Sequence, residues 1–173
     1  MAILLVFSIL AWPLMYSSIY SRENTRVAAT RWIFGHIPEN AKVLNEHWDD
    51  PLPLGNVDVG FRRMYRGQEM PVFNPDDLEK IRLLKNRLAE ADYYFISSNR
   101  GWGSMMSVPY KYPLTAKFYR DLFAGKLGYR KIAEFTSFPR LEIGNWKLEI
   151  NDERSEEAFT VYDHPKVMIF KKI

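Results

Sequence analysis

Glu46-His47-Trp48-Asp49-Asp50 places carboxylates, an imidazole and an indole in one short stretch, a set able to orient sugar hydroxyls by hydrogen bonds and stack on a pyranose ring. The same residues also read as a capped strand end running into the turn chemistry of Asp49-Asp50-Pro51, and both readings stand at this point. Further along, Arg62, Arg63 and Arg66 alternate with Phe61 and Tyr65, a basic-aromatic patch suited to a lipid phosphate or anionic headgroups, or equally to a solvated loop with cation–π contacts. Asn99-Arg100-Gly101-Trp102-Gly103-Ser104 follows a strand-like run but lacks the P-loop lysine and the full dinucleotide fingerprint, so nucleotide binding is not expected. Asp163-His164 has the form of a carboxylate-oriented base, yet no serine nucleophile is placed beside it and Pro165 marks a turn. One histidine among acids does not fix a metal, and His36 and His164 stand at no helical spacing from it; neither metal nor cofactor is expected.

Two elements must bring these residues together. Lys42 to His47 reads as a strand, and Asp92 to Ser97, rich in aromatic and branched residues, as a second. Long connections follow each, spanning residues 48–75 and 98–113, and in a parallel α/β sheet both leave from the carboxyl edge, where ligands commonly bind. That edge brings Glu46, His47, Trp48, Asp49 and Asp50 near Ser97, Ser98, Asn99 and Arg100.

Helices are predicted around these strands. One starts after Asn24 and stops at Gly35. A second runs from Pro75 to Ala91 behind an Asn74 cap, with Leu78, Ile81, Leu84, Leu88 and Ala91 as its buried stripe. A third begins near Leu114 and ends at Gly125. Tyr129 to Phe135 reads as a strand. The last third reads as clustered strands, Ala158 to Tyr162 and Lys166 to Lys172 being joined around Asp163-His164-Pro165 as a C-terminal antiparallel hairpin. The predicted class is α/β with a mixed sheet.

The chain has 173 residues, 47% hydrophobic and 26% charged, which suits one soluble domain, here residues 22–173. Its formal net charge of +3 is too small for a general nucleic-acid surface, and nucleic acid is excluded as a partner. No cysteine is present, which removes disulfide scaffolds, thiolate zinc sites and cysteine nucleophiles. Charge is also absent before Arg22. As a helix, the uncharged run from Ala2 to Tyr20 would reach about 28 Å, near the hydrocarbon thickness of a bilayer, so residues 1–21 are expected to form a transmembrane helix. It lacks the basic start and small-residue cleavage site of a secretory signal and the polar face of an amphipathic core helix. Arg22, Arg26 and Arg31 just beyond it would, taken alone, place the following domain in the cytoplasm.

The terminal apolar span, the stretch from Ile19 to Leu54 containing WDDPLPL, and then ADYYFISSNRGWGS, YPLTAKFYRDLFAGKLGY and EEAFTVYDHPKVMIF together resemble the C-terminal end of bacterial and archaeal polytopic membrane glycosyltransferases, the dolichyl-phosphate-mannose protein mannosyltransferase group and its relatives. The resemblance covers nearly the whole chain. It implies a plasma-membrane protein whose terminal soluble domain lies on the extracytoplasmic side, contrary to the arginine cue, since upstream spans would set the direction. It implies a polyprenyl-phosphate sugar donor, a glycan or protein acceptor, and a catalytic carboxylate in an early loop that has no counterpart here. The chain is then an accessory part that is inactive alone, completed by a longer protein or by a separately encoded membrane catalytic chain. Within it, Trp48 and Tyr112 would supply ring contacts, Asp49, Asp50 and Asn99 would bind hydroxyls, Arg100 would meet a phosphate or carboxylate, and Arg62, Arg63 and Arg66 would face lipid phosphate. The alternative is a single-span, membrane-tethered binding protein without chemistry.

Overall fold

A computed structural model of the chain describes residues 2–58, 60 and 63–173. In chain order these form α1 (Ala2–Ser17), a 3-10 turn (Ser18–Ser21), α2 (Thr25–His36), β1 (Lys42–Glu46), β2 (Arg66–Met70), α3 (Leu78–Glu90), β3 (Tyr93–Ile96), α4 (Arg100–Ser107), α5 (Pro113–Phe123), β4 (Tyr129–Phe135), β5 (Arg140–Ile143), β6 (Trp146–Glu149), α6 (Glu157–Thr160) and β7 (Val167–Lys172). The main sheet has the order β2-β1-β3-β7-β4. β1 pairs in parallel with both β2 and β3, whereas β7 runs antiparallel to β3 and β4. The fold is therefore α/β with a mixed sheet, as the order of elements in the sequence implied.

Strands rich in consecutive apolar residues need cover on both faces. Leu44, Tyr94, Ile96, Met168 and Phe170 face α3, α4 and α5 through Leu84, Leu88, Met105, Phe118 and Leu122. Their neighbours Val43, Tyr93, Phe95, Val167 and Ile169 face the opposite way, onto Ala29 and Ile33 of α2. Alternation of period two thus divides β1, β3 and β7 between two cores.

Asn24 caps α2, its side chain accepting from Arg26 N at 2.9 Å. The predicted Asn74 cap of the next helix is displaced to Asp77, which accepts from Lys80 N at 2.8 Å; the helix starts at Leu78 and Asn74 and Pro75 lie in the preceding turn. Asp76 is drawn instead to the start of α5, where it accepts from Leu114 N at 2.9 Å and Thr115 N at 3.0 Å.

The hairpin lies elsewhere than predicted. It is formed by β5 and β6 around Gly144, whose φ of 58° belongs to the left-handed region that such tight turns require. Ala158 to Tyr162 is not a strand: Glu157–Thr160 makes one helical turn, and Phe159 stacks on Trp12 of α1 at 6.3 Å. Contact with α1 overrides the local preference for extended structure.

α1 also departs from expectation. At 16 residues it is about 24 Å long, and among the described residues no helix is long and apolar enough to cross a membrane. The chain tightens into the 3-10 turn at Ser18 because this end is docked on the domain. Met15 and Ile19 are buried, the Tyr16 hydroxyl donates to Asp163 at 2.9 Å, and Arg140 N donates to the Ser18 hydroxyl at 3.1 Å.

Candidate functional site

After β1 the chain turns toward the α2 face, where Leu52 is buried; after β3 it turns toward the opposite face, where Met105 is buried. The two neighbouring parallel strands therefore open a crevice at their carboxyl ends, the usual ligand position in such sheets. Of residues 46–50, expected beside 97–100, Trp48 and Asp49 bond directly to Arg100 and Ser98, whereas His47 turns away to Glu69, its Nδ1 at 2.8 Å from Oε2. What fills the crevice is a set of internal links.

Arg26, buried at the start of α2, donates to the Ser97 carbonyl at 3.1 Å and to Asp49 Oδ1 at 2.9 Å, and pairs with Asp50 Oδ2 at 3.0 Å. The Ser98 hydroxyl donates to the other oxygen of Asp49, and Asp50 N donates to Oδ1 at 2.9 Å. Both oxygens of Asp49 are thus occupied, and the side chain is only 2% exposed, whereas Asp50 is 62% exposed. Arg100 is held by Glu157 at 2.8 Å and by the Trp48 carbonyl, with the Tyr162 hydroxyl at 3.5 Å. Trp48, in a left-handed backbone conformation with φ 66°, is exposed and stacks on Phe73 at 5.3 Å. Asn99 is buried and accepts from the Thr160 hydroxyl at 3.3 Å.

The remaining predicted residues lie apart from this group. Tyr112 precedes α5 and packs against the core beneath α3, α4 and α5. Arg63 donates to the Ile37 carbonyl at 2.7 Å, and Arg66 opens β2 opposite Lys42, so both occupy the amino edge of the sheet. α1 docks near Asp163, beyond the carboxyl edge, so the arginine patch and α1 lie at opposite ends of the domain. Arg62 is outside the described residues.

Glu46 gains a character that its place in the motif did not disclose. Its Oε1 accepts from the hydroxyls of Tyr94 and Tyr119, both at 2.7 Å, while Oε2 is buried without a partner among the described residues. Burial outweighs the two donors and pushes this carboxyl up to about 7, with the charge of Asp49 adding to the rise. Gly101 of α4 lies directly over the group; a Cβ there would collide with Glu46 Oε2 and the Tyr119 hydroxyl.

Beside the crevice, α4 and residues 151–157 enclose a cleft of about 910 Å³ lined by Asn99, Trp102, Ser104, Glu153, Arg154 and Glu157. Asn99, Trp102 and Glu153 also border a small space of about 10 Å³ that reaches Asp152, Thr160 and His164. His164 Nε2 lies 2.8 Å from Asp152 Oδ2 and both side chains are buried. The carboxylate that orients this histidine is thus Asp152, twelve residues away, and not the adjacent Asp163, which binds Tyr16. Trp102 was legible only as part of a glycine-rich loop, and Asp152 carried no signal, because the contact that pairs it with His164 depends on the fold of residues 151–164.

Comparisons with protein-family models, curated proteins and solved structures gave no match to this chain.

Proposed function

We propose that this chain is the C-terminal accessory part of a membrane glycosyltransferase that takes its sugar from a polyprenyl-phosphate donor, and that its α/β domain, on the extracytoplasmic side, aids acceptor recognition and steadies the membrane part. The observation that carries the reading is the apolar surface at one end of the domain. Ile9, Leu10, Trp12 and Leu14 of the uncharged α1 point outward with exposures of 41–63%. β5 lies against α1 and pairs with β6 so that Leu141, Ile143, Trp146 and Leu148 share one face while Arg140, Glu142, Lys147 and Glu149 take the other. Trp146 is 84% exposed. A helix without charge beside an amphipathic hairpin tipped with tryptophan suits the water–lipid boundary, where indole rings are enriched.

The polar cleft adjoins this end through α6, whose Phe159 packs on α1 and whose Glu157 lines the cleft. An acceptor held there would lie close to a membrane-embedded donor. No group in the crevice serves as catalytic base in this reading, since Asp49 is already bound by Arg26 and Ser98; the base belongs to the membrane part. The occupation of Asp49 equally favours the second reading, a tethered binding protein without chemistry.

Flotation with phosphatidylcholine–phosphatidylglycerol vesicles tests the carrying observation. The chain is expected to float with lipid, and Leu14→Ser combined with Trp146→Ser to release it. A chain that stays dispersed without detergent overturns the membrane reading. Purification from native membranes in mild detergent separates the two readings: transfer from a polyprenyl-phosphate sugar by the assembly containing this chain supports the transferase, and a lone chain without activity supports the tethered binder.

A further inference from the structure

We propose that the cleft between α4 and residues 151–157 binds a pyranose unit, with one sugar hydroxyl entering the small space bordered by Asp152, His164 and Trp102. The proposal deepens the acceptor-recognition reading and rests on it for the source of the sugar, but its warrant is local chemistry. Trp102 Nε1, Asp152 Oδ1 and His164 Nδ1 are buried and without a hydrogen-bond partner among the described residues, and all three side chains border one small space. Leaving such groups unpaired costs about 1–3 kcal/mol each, so three side chains around one space favour a ligand group that can pair with them. A hydroxyl both donates and accepts, which answers an indole N–H and a carboxylate oxygen together. The space, about 10 Å³, has room for a single oxygen.

The wider cleft fits the rest of a sugar. Its volume of about 910 Å³ lies within the range of small-molecule sites. Its polar lining is mixed: Glu153 is held by Lys166 at 2.6 Å and Glu157 by Arg100 at 2.8 Å, Arg154 and Glu156 add one charge of each sign, and Asn99, Ser104 and Asn151 are neutral. Carboxylates already neutralised by cations do not demand a cationic ligand and still accept from hydroxyls. Trp102, fixed edge-on against Phe123 at 5.9 Å, supplies an aromatic wall.

The test uses the full chain in lipid nanodiscs, labelled with ¹⁵N at the tryptophan indoles, and titrated with the methyl glycosides of mannose, glucose, galactose and N-acetylglucosamine. At least one glycoside is expected to shift the Trp102 indole N–H resonance. Trp102→Phe, which keeps a ring but removes the donor, is expected to weaken binding about tenfold, read from the ligand signals. Ser155→Trp, in the irregular segment opposite α4 and outside both cores, should fill the cleft and abolish binding. No shift at Trp102 with any glycoside, or shifts confined to Trp48 and Trp146, overturns the proposal. Glycoside binding by a chain that does not float with vesicles would sustain the cleft and remove the membrane reading; flotation without glycoside binding would do the reverse.

Discussion

Asp49 and Asp50 are adjacent in sequence and opposite in circumstance. Asp49 is the buried partner of a buried arginine, so Asp49→Ala leaves the Arg26 guanidinium with only the Ser97 carbonyl and the solvent-facing Asp50, and should cost roughly 3–5 kcal/mol in urea unfolding. Asp50→Ala should cost less than about 1 kcal/mol. Two acids followed by proline could not reveal which of them turns inward, because that depends on Arg26 and Ser98 arriving from distant elements. Glu46 offers a pH test. Its folded carboxyl stands at about 7 against an ordinary 4.5, so between these values the folded state holds a proton that the unfolded state has released. Its contribution is fully present below about pH 4.5 and is lost as pH rises through 7, by roughly 3 kcal/mol in all. Glu46→Gln should flatten that fall in a series of urea midpoints; an unchanged slope would assign it to other groups.

Among the elements, α5 depends on a cap borrowed from outside itself. Burial alone would raise the Asp76 carboxyl, but the Thr115 hydroxyl, the amides of Leu114 and Thr115, and Lys80 together hold it below its ordinary range. Asp76→Ala should therefore destabilise by about 3 kcal/mol and speed amide exchange in the first turn of α5. As Asp76 is depressed, its contribution stands at neutral pH and is lost on acidification through its folded pKa. The elements differ in how visible they were. β4 occupies the predicted Tyr129–Phe135, and β1 and β3 lie within their predicted runs, because branched and aromatic residues cluster there. β2 escaped notice: Arg-Gly-Gln-Glu-Met is a sheet edge exposed at four of its five positions, with no pattern of burial to print on the sequence. α4 was hidden by Gly101 and Gly103, read as loop residues, although Gly101 is demanded by the close approach of Glu46. The crevice was thus readable from strand order, whereas the cleft was not, since one wall is α4 and the other is an irregular segment.

At the scale of the molecule, the polar cleft and the exposed apolar surface meet at the carboxyl edge, and the amino edge carries Arg63 and Arg66. If lipid covers α1 and the β5–β6 face, charge reversal at Arg66 should leave vesicle flotation unchanged, while Ile143→Asp should reduce it; equal effects would place the bilayer differently. The sheet order has its own consequence. β7, only six residues long, lies between β3 and β4 and supplies the ladder partner of each. Until residues 167–172 have emerged from the ribosome, β4 lacks its pairing strand and the apolar residues of β3 stay open on one side. The sheet therefore cannot be completed until residues 167–172 have been synthesised, well after β3, which leaves an interval in which chaperones, or a nearby bilayer, can hold the nascent domain.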